Sequence, residues 1–178
     1  MHVTAEEYRD AVDARGIVRP GALGVPVPTE CFTVFVQTTD ARVDIDAWQA
    51  KASAFLKARI GLWIPKNYEG PAPREDGALL VVAPNEGTGE IRFSWGLAAT
   101  EADRMRGREA EAMCGPPQGL MTLAERCPSI WRVLAHDDND AIALLAATTI
   151  AMVGLGPIVP PSGTSLFGVK TARMKLRI

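Results

Sequence analysis

The chain has 178 residues and a mass of 19.1 kDa; 47% of its residues are hydrophobic, 22% are charged, and its formal net charge is −2. This composition is typical of a globular domain, and it excludes a disordered, collagen-like or strongly basic chain. A chain of this length buries about two-thirds of the surface that its unfolded form exposes, so its stability requires neither a disulfide nor a metal ion.

The N-terminal part is predicted to form a helix followed by a linker. Thr4 and Glu7 have the spacing of a capping box, which predicts a helix from Thr4 to about Arg15. Residues 19–28 hold three prolines and two glycines, which predict an extended linker. We therefore regard residues 1–28 as a helix and linker in which the helix can act as a separate arm.

The next segment predicts a strand, a helix and a short apolar stretch. Cys31–Thr38 is rich in β-branched and aromatic residues, which favour strands. Asp44 or Asp46 can cap a helix that extends to about Ile60, because apolar residues recur there at helical spacing. The short apolar stretch covers residues 62–64.

A long loop, a hairpin and a charged helix are expected in the middle of the chain. Residues 65–77 are mostly polar, and structureless loops of such length are often functional. Residues 78–83 and 90–97 predict two strands joined by a turn, and the second strand alternates apolar and polar residues. Thr100 and Asp103 can cap a helix that reaches about Met113.

The last third of the chain predicts two more helices and a terminal strand. The first helix starts near Thr122 and is kinked at Pro128. Its apolar stripe consists of Leu123, Cys127, Ile130, Trp131 and Leu134. The second lies in residues 141–159, which carry no charge. Ser165–Ile178 is expected to form a strand with one apolar face and one face that becomes basic toward its end.

This order of elements predicts a single α+β domain over residues 1–178, with its core in residues 29–178. We expect a mainly antiparallel sheet of about four to five strands, with helices packed on one face. The final strand is expected to return beside an early one.

Cysteine usage and the N-terminal composition favour a cytoplasmic location. Cys31, Cys114 and Cys127 are an odd number of cysteines, as is common in a reducing compartment. Residues 1–16 contain four acidic residues and no apolar core, unlike a signal peptide. Residues 141–159 approach the roughly 20 apolar residues of a membrane span. Their glycines and proline end the helix early, so we favour a buried core helix.

No constellation of catalytic residues is evident, and we predict no metal and no cofactor. The consecutive polar residues 136–140 point in different directions, so they favour a helix cap over a metal site. Cys114, Cys127 and His136 lack the closely spaced pairs of a zinc motif. Cys114, His136 and Asp138 are the candidates for a reactive or ligand-binding group if the protein is an enzyme or a small-molecule binder.

Two regions are candidate partner-binding surfaces. In the 65–77 loop, Lys66, Tyr68 and Arg74 are candidates, because tyrosine and arginine are favoured at protein interfaces. The second region is the C-terminal segment: residues 1–140 carry 15 basic and 21 acidic residues, whereas residues 141–178 carry four basic residues and no acidic one.

The basic C-terminal residues also raise the possibility of nucleic-acid binding. Arg173, Lys175 and Arg177 alternate along the predicted terminal strand, and basic sheet faces with an aromatic residue can bind nucleic acid. The acidic body of the protein argues against that role.

Our main hypothesis is a non-enzymatic cytoplasmic binding or regulatory domain that acts through protein–protein contacts, with a protein partner or by self-association as a homo-oligomer. The alternative is a small-molecule-binding protein or enzyme with its site near the 65–77 loop or near Cys114 and His136. Nucleic-acid binding through the basic C-terminal strand is the second alternative, and we expect no stable membrane association.

Overall fold

A computed structural model describes residues 4–16, 19, 22, 24–39, 44–62, 64–70, 80–84, 89–116, 118–135 and 140–178. The helices in these residues are α1 (Ala5–Ala11), α2 (Ile45–Leu56), α3 (Glu101–Met113), α4 (Leu120–Glu125), α5 (Asp140–Gly154) and α6 (Val169–Lys175). The strands are β1 (Phe32–Val36), β2 (Ala58–Leu62), β3 (Leu80–Pro84), β4 (Gly89–Ala98), β5 (Ser129–Ala135) and β6 (Ile158–Val159).

The strands of the described residues form one antiparallel sheet in the order β2-β3-β4-β5-β1-β6. The predicted hairpin is confirmed, because Leu80 of β3 lies opposite Ile91 of β4. Its turn, residues 85–88, lies outside the described residues. The predicted α+β class with a mainly antiparallel sheet is therefore confirmed, and β6 contributes only two residues to the sheet.

Helices lie against both faces of this sheet. Val34 packs in a cluster with Trp48 of α2 and Ile150 of α5. Phe35, the next residue of β1, packs in a second cluster with Ala110 of α3 and with α4. Successive strand residues point to opposite faces, so α2 and α5 cover one face and α3 and α4 cover the other. The expected helical layer on one face thus consists of α2, α5 and α6, and a smaller layer lies opposite.

The uncharged segment forms the central buried helix, α5. Two threonines lie in its buried interior, and their hydroxyl groups donate to backbone carbonyls one turn earlier. The Thr148 hydroxyl bonds the Leu144 oxygen at 2.6 Å, and the Thr149 hydroxyl bonds the Leu145 oxygen at 3.1 Å. Buried hydroxyl groups therefore have partners in this helix. No helix in the described parts of the chain is long and apolar enough to cross a membrane.

Both predicted capping boxes are present. The Thr4 hydroxyl accepts from the Glu7 amide at 3.2 Å, and the Glu7 carboxylate accepts from the Thr4 amide at 2.9 Å. The Thr4 amide and hydroxyl both donate to the Glu7 carboxylate, and these bonds lower the pKa of the Glu7 carboxyl. Thr100 and Asp103 form the same reciprocal pair at the start of α3. Local sequence thus defines where these two helices begin.

The predicted kinked helix after Thr122 is wrong in its second half. Helix α4 ends at Glu125, and the residues beyond Pro128 form β5. Val133 lies opposite Phe32 of β1, and the other edge of β5 pairs with β4. Proline breaks the helical hydrogen bonds, and the apolar residues that follow pair on both sides in the sheet.

The predicted terminal strand Ser165–Ile178 is also wrong. Only Phe167 makes a β-bridge, to Ile158 of β6. The residues after it form α6, in which Ala172 is fully buried and Val169 and Leu176 pack against the core. These three positions follow helical spacing. The prediction relied instead on the alternation of apolar and polar residues in the same segment, which is typical of a strand.

Helix α2 ends before the predicted position at Ile60. Lys57 has φ of +51° and terminates the helix, and β2 begins at the next residue. The side-chain oxygen of Gln49 accepts from the amide of Ile60 at 2.7 Å, which links β2 back to the helix. In the predicted apolar stretch 62–64, Leu62 is the last residue of β2, and residue 63 lies outside the described residues.

The N-terminal helix packs against the domain. Tyr8 is 1% exposed, and its ring meets the ring of Tyr68 edge-on, with centroids 4.9 Å apart. Ala11 is buried as well, and its carbonyl accepts from the Arg19 amide at 3.0 Å. Burial raises the pKa of the Tyr8 hydroxyl to about 12. Helix α1 is therefore docked and does not extend away as an arm.

Two arginines hold the linker that follows α1. Arg132 of β5 donates to the Pro26 carbonyl at 3.0 Å and to the buried Asp103 carboxylate at 3.0 Å. Arg106 of α3 reaches carbonyl oxygens on two separate segments, those of Pro28, Pro160 and Pro161. The guanidinium groups thereby attach the linker to the α3 face of the sheet.

Candidate binding cleft

The described candidate partner-binding residues of the 65–77 loop differ in how exposed they are. Lys66 is exposed, whereas Tyr68 is half-buried against Tyr8 of α1. Arg74 lies outside the described residues. The tyrosine expected to bind a partner therefore already contacts another part of the chain, and a partner-binding role for this loop stays a prediction.

The basic C-terminal residues do not share one face. Arg173 and Lys175 are two positions apart on α6, and this spacing places them about 200° apart around the helix axis. The Lys175 ammonium lies 5.3 Å from the centre of the Phe167 ring, and Arg177 follows the helix with φ of +59°. Nucleic-acid binding through a basic strand face therefore loses its structural basis, because that strand does not form.

The candidate reactive groups are not assembled into a site. Cys114 is exposed at the end of α3, where its thiol lies 3.9 Å from the Thr164 carbonyl oxygen. His136 and Asp138 lie outside the described residues. Within the described ranges, no three His, Cys, Asp or Glu side chains are placed to hold a metal ion.

A different feature stands out at the edge of the sheet, an apolar cleft of about 530 Å³. We call it the Leu155 cleft. It lies where α2, α4, α5 and α6 meet beyond the end of β1. Its lining residues are Gln37, Lys51, Phe55, Leu120, Leu123, Ala151, Met152, Leu155, Gly156, Pro157, Gly168 and Val169.

The turn after α5 fixes the floor of this cleft against β1. A Cβ atom on Gly154 would lie 2.6 Å from a Val36 side-chain carbon, and one on Gly156 would lie 1.9 Å from the Phe35 carbonyl oxygen. Only glycine permits this close approach of the turn to the strand. The backbone at both ends of Leu155 is therefore held in place.

Hydrogen bonds complete this attachment. The Phe35 amide donates to the Pro157 carbonyl at 2.9 Å, and the Gln37 amide donates to the Gly154 carbonyl at 2.9 Å. The Gln37 side-chain amide donates to the Leu155 carbonyl at 2.6 Å. These bonds satisfy carbonyl groups that the end of a helix leaves unpaired.

Leu155 itself combines two unfavourable properties. Its φ of +54° lies in the left-handed region, where glycine is the usual residue at the end of a helix. Its side chain is nevertheless a leucine, and it is 63% exposed. Phe55, on the α2 side of the cleft, is 45% exposed. The fold thus holds two large apolar side chains in contact with water at one site.

The polar groups of the cleft are few. Lys51 is the only ionisable residue among the lining residues, and its ammonium lies 5.5 Å from the centre of the Phe55 ring. Among the described residues that line the cleft there is no carboxylate, thiol, imidazole or hydroxyl group. The arrangement can bind an apolar group, and its described lining residues include no carboxylate or imidazole for proton transfer.

Sequence reasoning missed this site because its residues come from distant parts of the chain. The available signal was the Gly154-Leu155-Gly156 sequence at the end of an apolar helix. That sequence does not fit a phosphate loop, because it lacks the strand-loop-helix context. A bulky residue between two glycines at a helix end would have been the more useful observation.

Comparisons with known proteins do not identify a function. No family model matches the chain, and no curated protein or solved structure is significantly similar to it. What the protein does is therefore inferred from the geometry of the molecule.

Proposed function

We propose that the protein is a non-enzymatic binding or regulatory domain, which acts through protein–protein contacts in the cytoplasm. In this proposal, the Leu155 cleft receives an apolar segment of a partner protein. The exposure of Leu155 in a left-handed backbone conformation is the observation that carries the proposal. The three unpaired cysteines agree with a reducing compartment.

The exposed side chains of Phe55 and Leu155 can contribute free energy to binding. Full burial of a leucine or phenylalanine side chain contributes about 1.5–3 kcal/mol relative to exposure. Phe55 and Leu155 retain much of this unused burial in the free protein, because both are substantially exposed. A partner that covers these two side chains gains the free energy of burying them. An aromatic or aliphatic side chain of the partner that enters the cleft adds the free energy of its own burial.

The fixed backbone of the cleft also favours binding. The turn that carries Leu155 is held by close packing and by hydrogen bonds to the end of β1. A surface that is already ordered loses little conformational entropy when a partner binds. Exposed apolar side chains on such a surface are typical of interaction sites.

Titration with synthetic amphipathic helical peptides tests this proposal. We expect amide NMR shifts that cluster around residues 51–55 and 151–157, and we expect Leu155→Gly to abolish them. Met113→Gln is the matched control, because Met113 is 65% exposed, like Leu155, but does not line the cleft. The proposal fails if no peptide binds, or if Leu155→Gly and Met113→Gln affect binding equally.

A small-molecule ligand is the second candidate, and the cleft volume favours it. Ligand pockets usually measure about 300–1,000 Å³, a range that includes this cleft. A thermal-shift screen of apolar metabolites separates the two candidates. Stabilisation that Leu155→Gly removes, together with the absence of peptide binding, would favour the small molecule.

A further inference from the structure

We infer that the partner segment received by the Leu155 cleft is acidic, with carboxylate side chains next to its apolar anchors. This inference rests on the proposed function, and it adds the chemistry of the partner. It comes from the distribution of charge around the cleft, which is independent of the Leu155 backbone.

The first observation is the state of Lys51. It projects from α2 one helical turn before Phe55, is exposed, and lines the cleft. None of the ion pairs between described residues involves Lys51, and its ammonium lies 5.5 Å from the centre of the Phe55 ring. An ammonium group beside an apolar wall is a suitable partner for a carboxylate at the rim of an interface.

The second observation is the charge of the opposite wall. Val169 and Gly168 line the cleft at the start of α6, and the exposed Lys170 is the next residue. The whole segment of residues 141–178, which also supplies the floor of the cleft, contains four basic residues and no acidic one. Positive charge therefore lies on the α2 wall at Lys51, and the segment that forms the α6 wall and the floor carries basic residues and no acidic one.

Acidic residues on the bordering elements are engaged or distant. Glu125 of α4 pairs with Arg108 at 3.2 Å, and Asp140 is the first residue of α5, at the opposite end of that helix from the turn that lines the cleft. Asp44 caps the start of α2, and Asp46 lies in the first turn of that helix, away from the lining residues. These carboxylates do not neutralise the rim of the cleft.

Like charges on the two sides of an interface disfavour binding. Opposite charges increase the association rate and select the partners that carry them. A basic amphipathic segment would place its charges beside Lys51, whereas an acidic segment would pair with Lys51 and meet no carboxylate on the α6 segment. A second copy of this chain and a basic partner are therefore alternative outcomes of the test, and the acidic partner is the one that the charges favour.

The experiment uses three synthetic helical peptides with identical apolar residues and with flanking Glu, Gln or Lys residues. We expect the Glu peptide to bind the full-length protein about threefold more tightly than the Gln peptide, as one exposed ion pair provides. The Lys peptide is expected to bind more weakly than both. Raising the salt concentration should reduce these differences.

Charge reversal at one position provides the decisive comparison. In Lys51→Glu, we expect the preference to move toward the Lys peptide. Lys57→Glu is the matched control, because it makes the same change of net charge at the end of the same helix, outside the lining residues. The control is expected to preserve the order of the wild-type protein.

The outcomes distinguish the two proposals. If no peptide binds, the proposed function fails. If all three peptides bind equally, or the Lys peptide binds best, only the acidic partner is excluded. If the protein self-associates without peptide and Leu155→Gly abolishes that association, the occupant is a second copy, and the acidic-partner inference is overturned.

Discussion

Gly156 stands against the backbone of Phe35 with no room for a side chain. A Cβ atom at residue 156 would lie 1.9 Å from the Phe35 carbonyl oxygen, a distance that no rotamer change can relieve. This contact holds the turn after α5 against β1, and it thereby positions Leu155 in the cleft. The shape of the cleft therefore depends on glycine at this position.

Replacing Gly156 with alanine should destabilise the protein by about 3 kcal/mol, because the clash is with backbone and not with a flexible side chain. Chemical denaturation measures the free energy of unfolding. Gly61→Ala is the control, since a Cβ atom there meets nothing within 4 Å. Equal effects of the two substitutions would contradict the close approach described above.

The left-handed backbone at residue 155 predicts an unusual order of stability. Leu155→Gly and Leu155→Ala both remove the exposed side chain, but only glycine relieves the positive φ. We expect the glycine variant to be more stable by about 1 kcal/mol, opposite to the order in a helix interior. Thermal unfolding measures the difference. A more stable alanine variant would show that residue 155 is not held in this conformation.

Asp103 serves two functions at once. Its carboxylate accepts from Thr100 at the start of α3 and from the partly buried Arg132, and its side chain is 2% exposed. Asp103→Ala should therefore cost about 3–5 kcal/mol of stability, because it leaves the Arg132 charge without its carboxylate. Glu101→Ala, which breaks an exposed ion pair with Arg108, is expected to cost much less.

The same variant tests how the linker is held. Arg132 also donates to Pro26, so loss of its carboxylate partner should loosen residues 24–30. We expect faster limited proteolysis in this segment in Asp103→Ala than in Glu101→Ala. Unchanged cleavage would show that the linker is held independently of the ion pair.

The cysteines should differ in reactivity. Burial raises the pKa of the Cys31 and Cys127 thiols to about 11, whereas Cys114 is exposed. A thiol reagent at neutral pH should modify one cysteine rapidly in the native protein and all three in denaturant. Cys114→Ser should remove the rapid phase. Rapid reaction of two or more thiols in the folded protein would contradict this packing.

Alkaline pH should weaken the fold through Tyr8. Burial raises the pKa of its hydroxyl from 10.0 to about 12, so the folded state retains a proton that the unfolded state releases. This contribution to the free energy of unfolding is complete below pH 10 and is lost as pH approaches 12. Tyr8→Phe should show a shallower loss of stability over this interval. An unchanged pH dependence would place the Tyr8 hydroxyl in water.

Local sequence determined the features that depend on neighbouring residues. The capping residues Thr4 and Thr100 predicted two helix starts correctly, because a capping box involves only residues three positions apart. The hairpin of β3 and β4 was predicted for a similar reason, since only four residues separate its two strands in the sequence. These elements needed no knowledge of tertiary contacts.

The wrong predictions concern segments whose secondary structure is determined by tertiary contacts. Ile130 and Trp131 fit a helical stripe in sequence, but pairing of β5 with β1 and β4 places them in a strand. The C-terminal residues alternate like a strand, yet burial of Ala172 against the core makes them helical. The Leu155 cleft combines residues between Gln37 and Val169, so no local pattern could have predicted it.

Intermolecular NOE measurement between a bound amphipathic peptide and the methyl groups of the protein locates the binding site most directly. We expect NOEs from apolar side chains of the peptide to the Leu155 and Met152 methyl groups, with further contacts to the Phe55 ring. NOEs confined to other exposed apolar residues, such as Met105 and Met113, would contradict the assignment of the Leu155 cleft as the binding site.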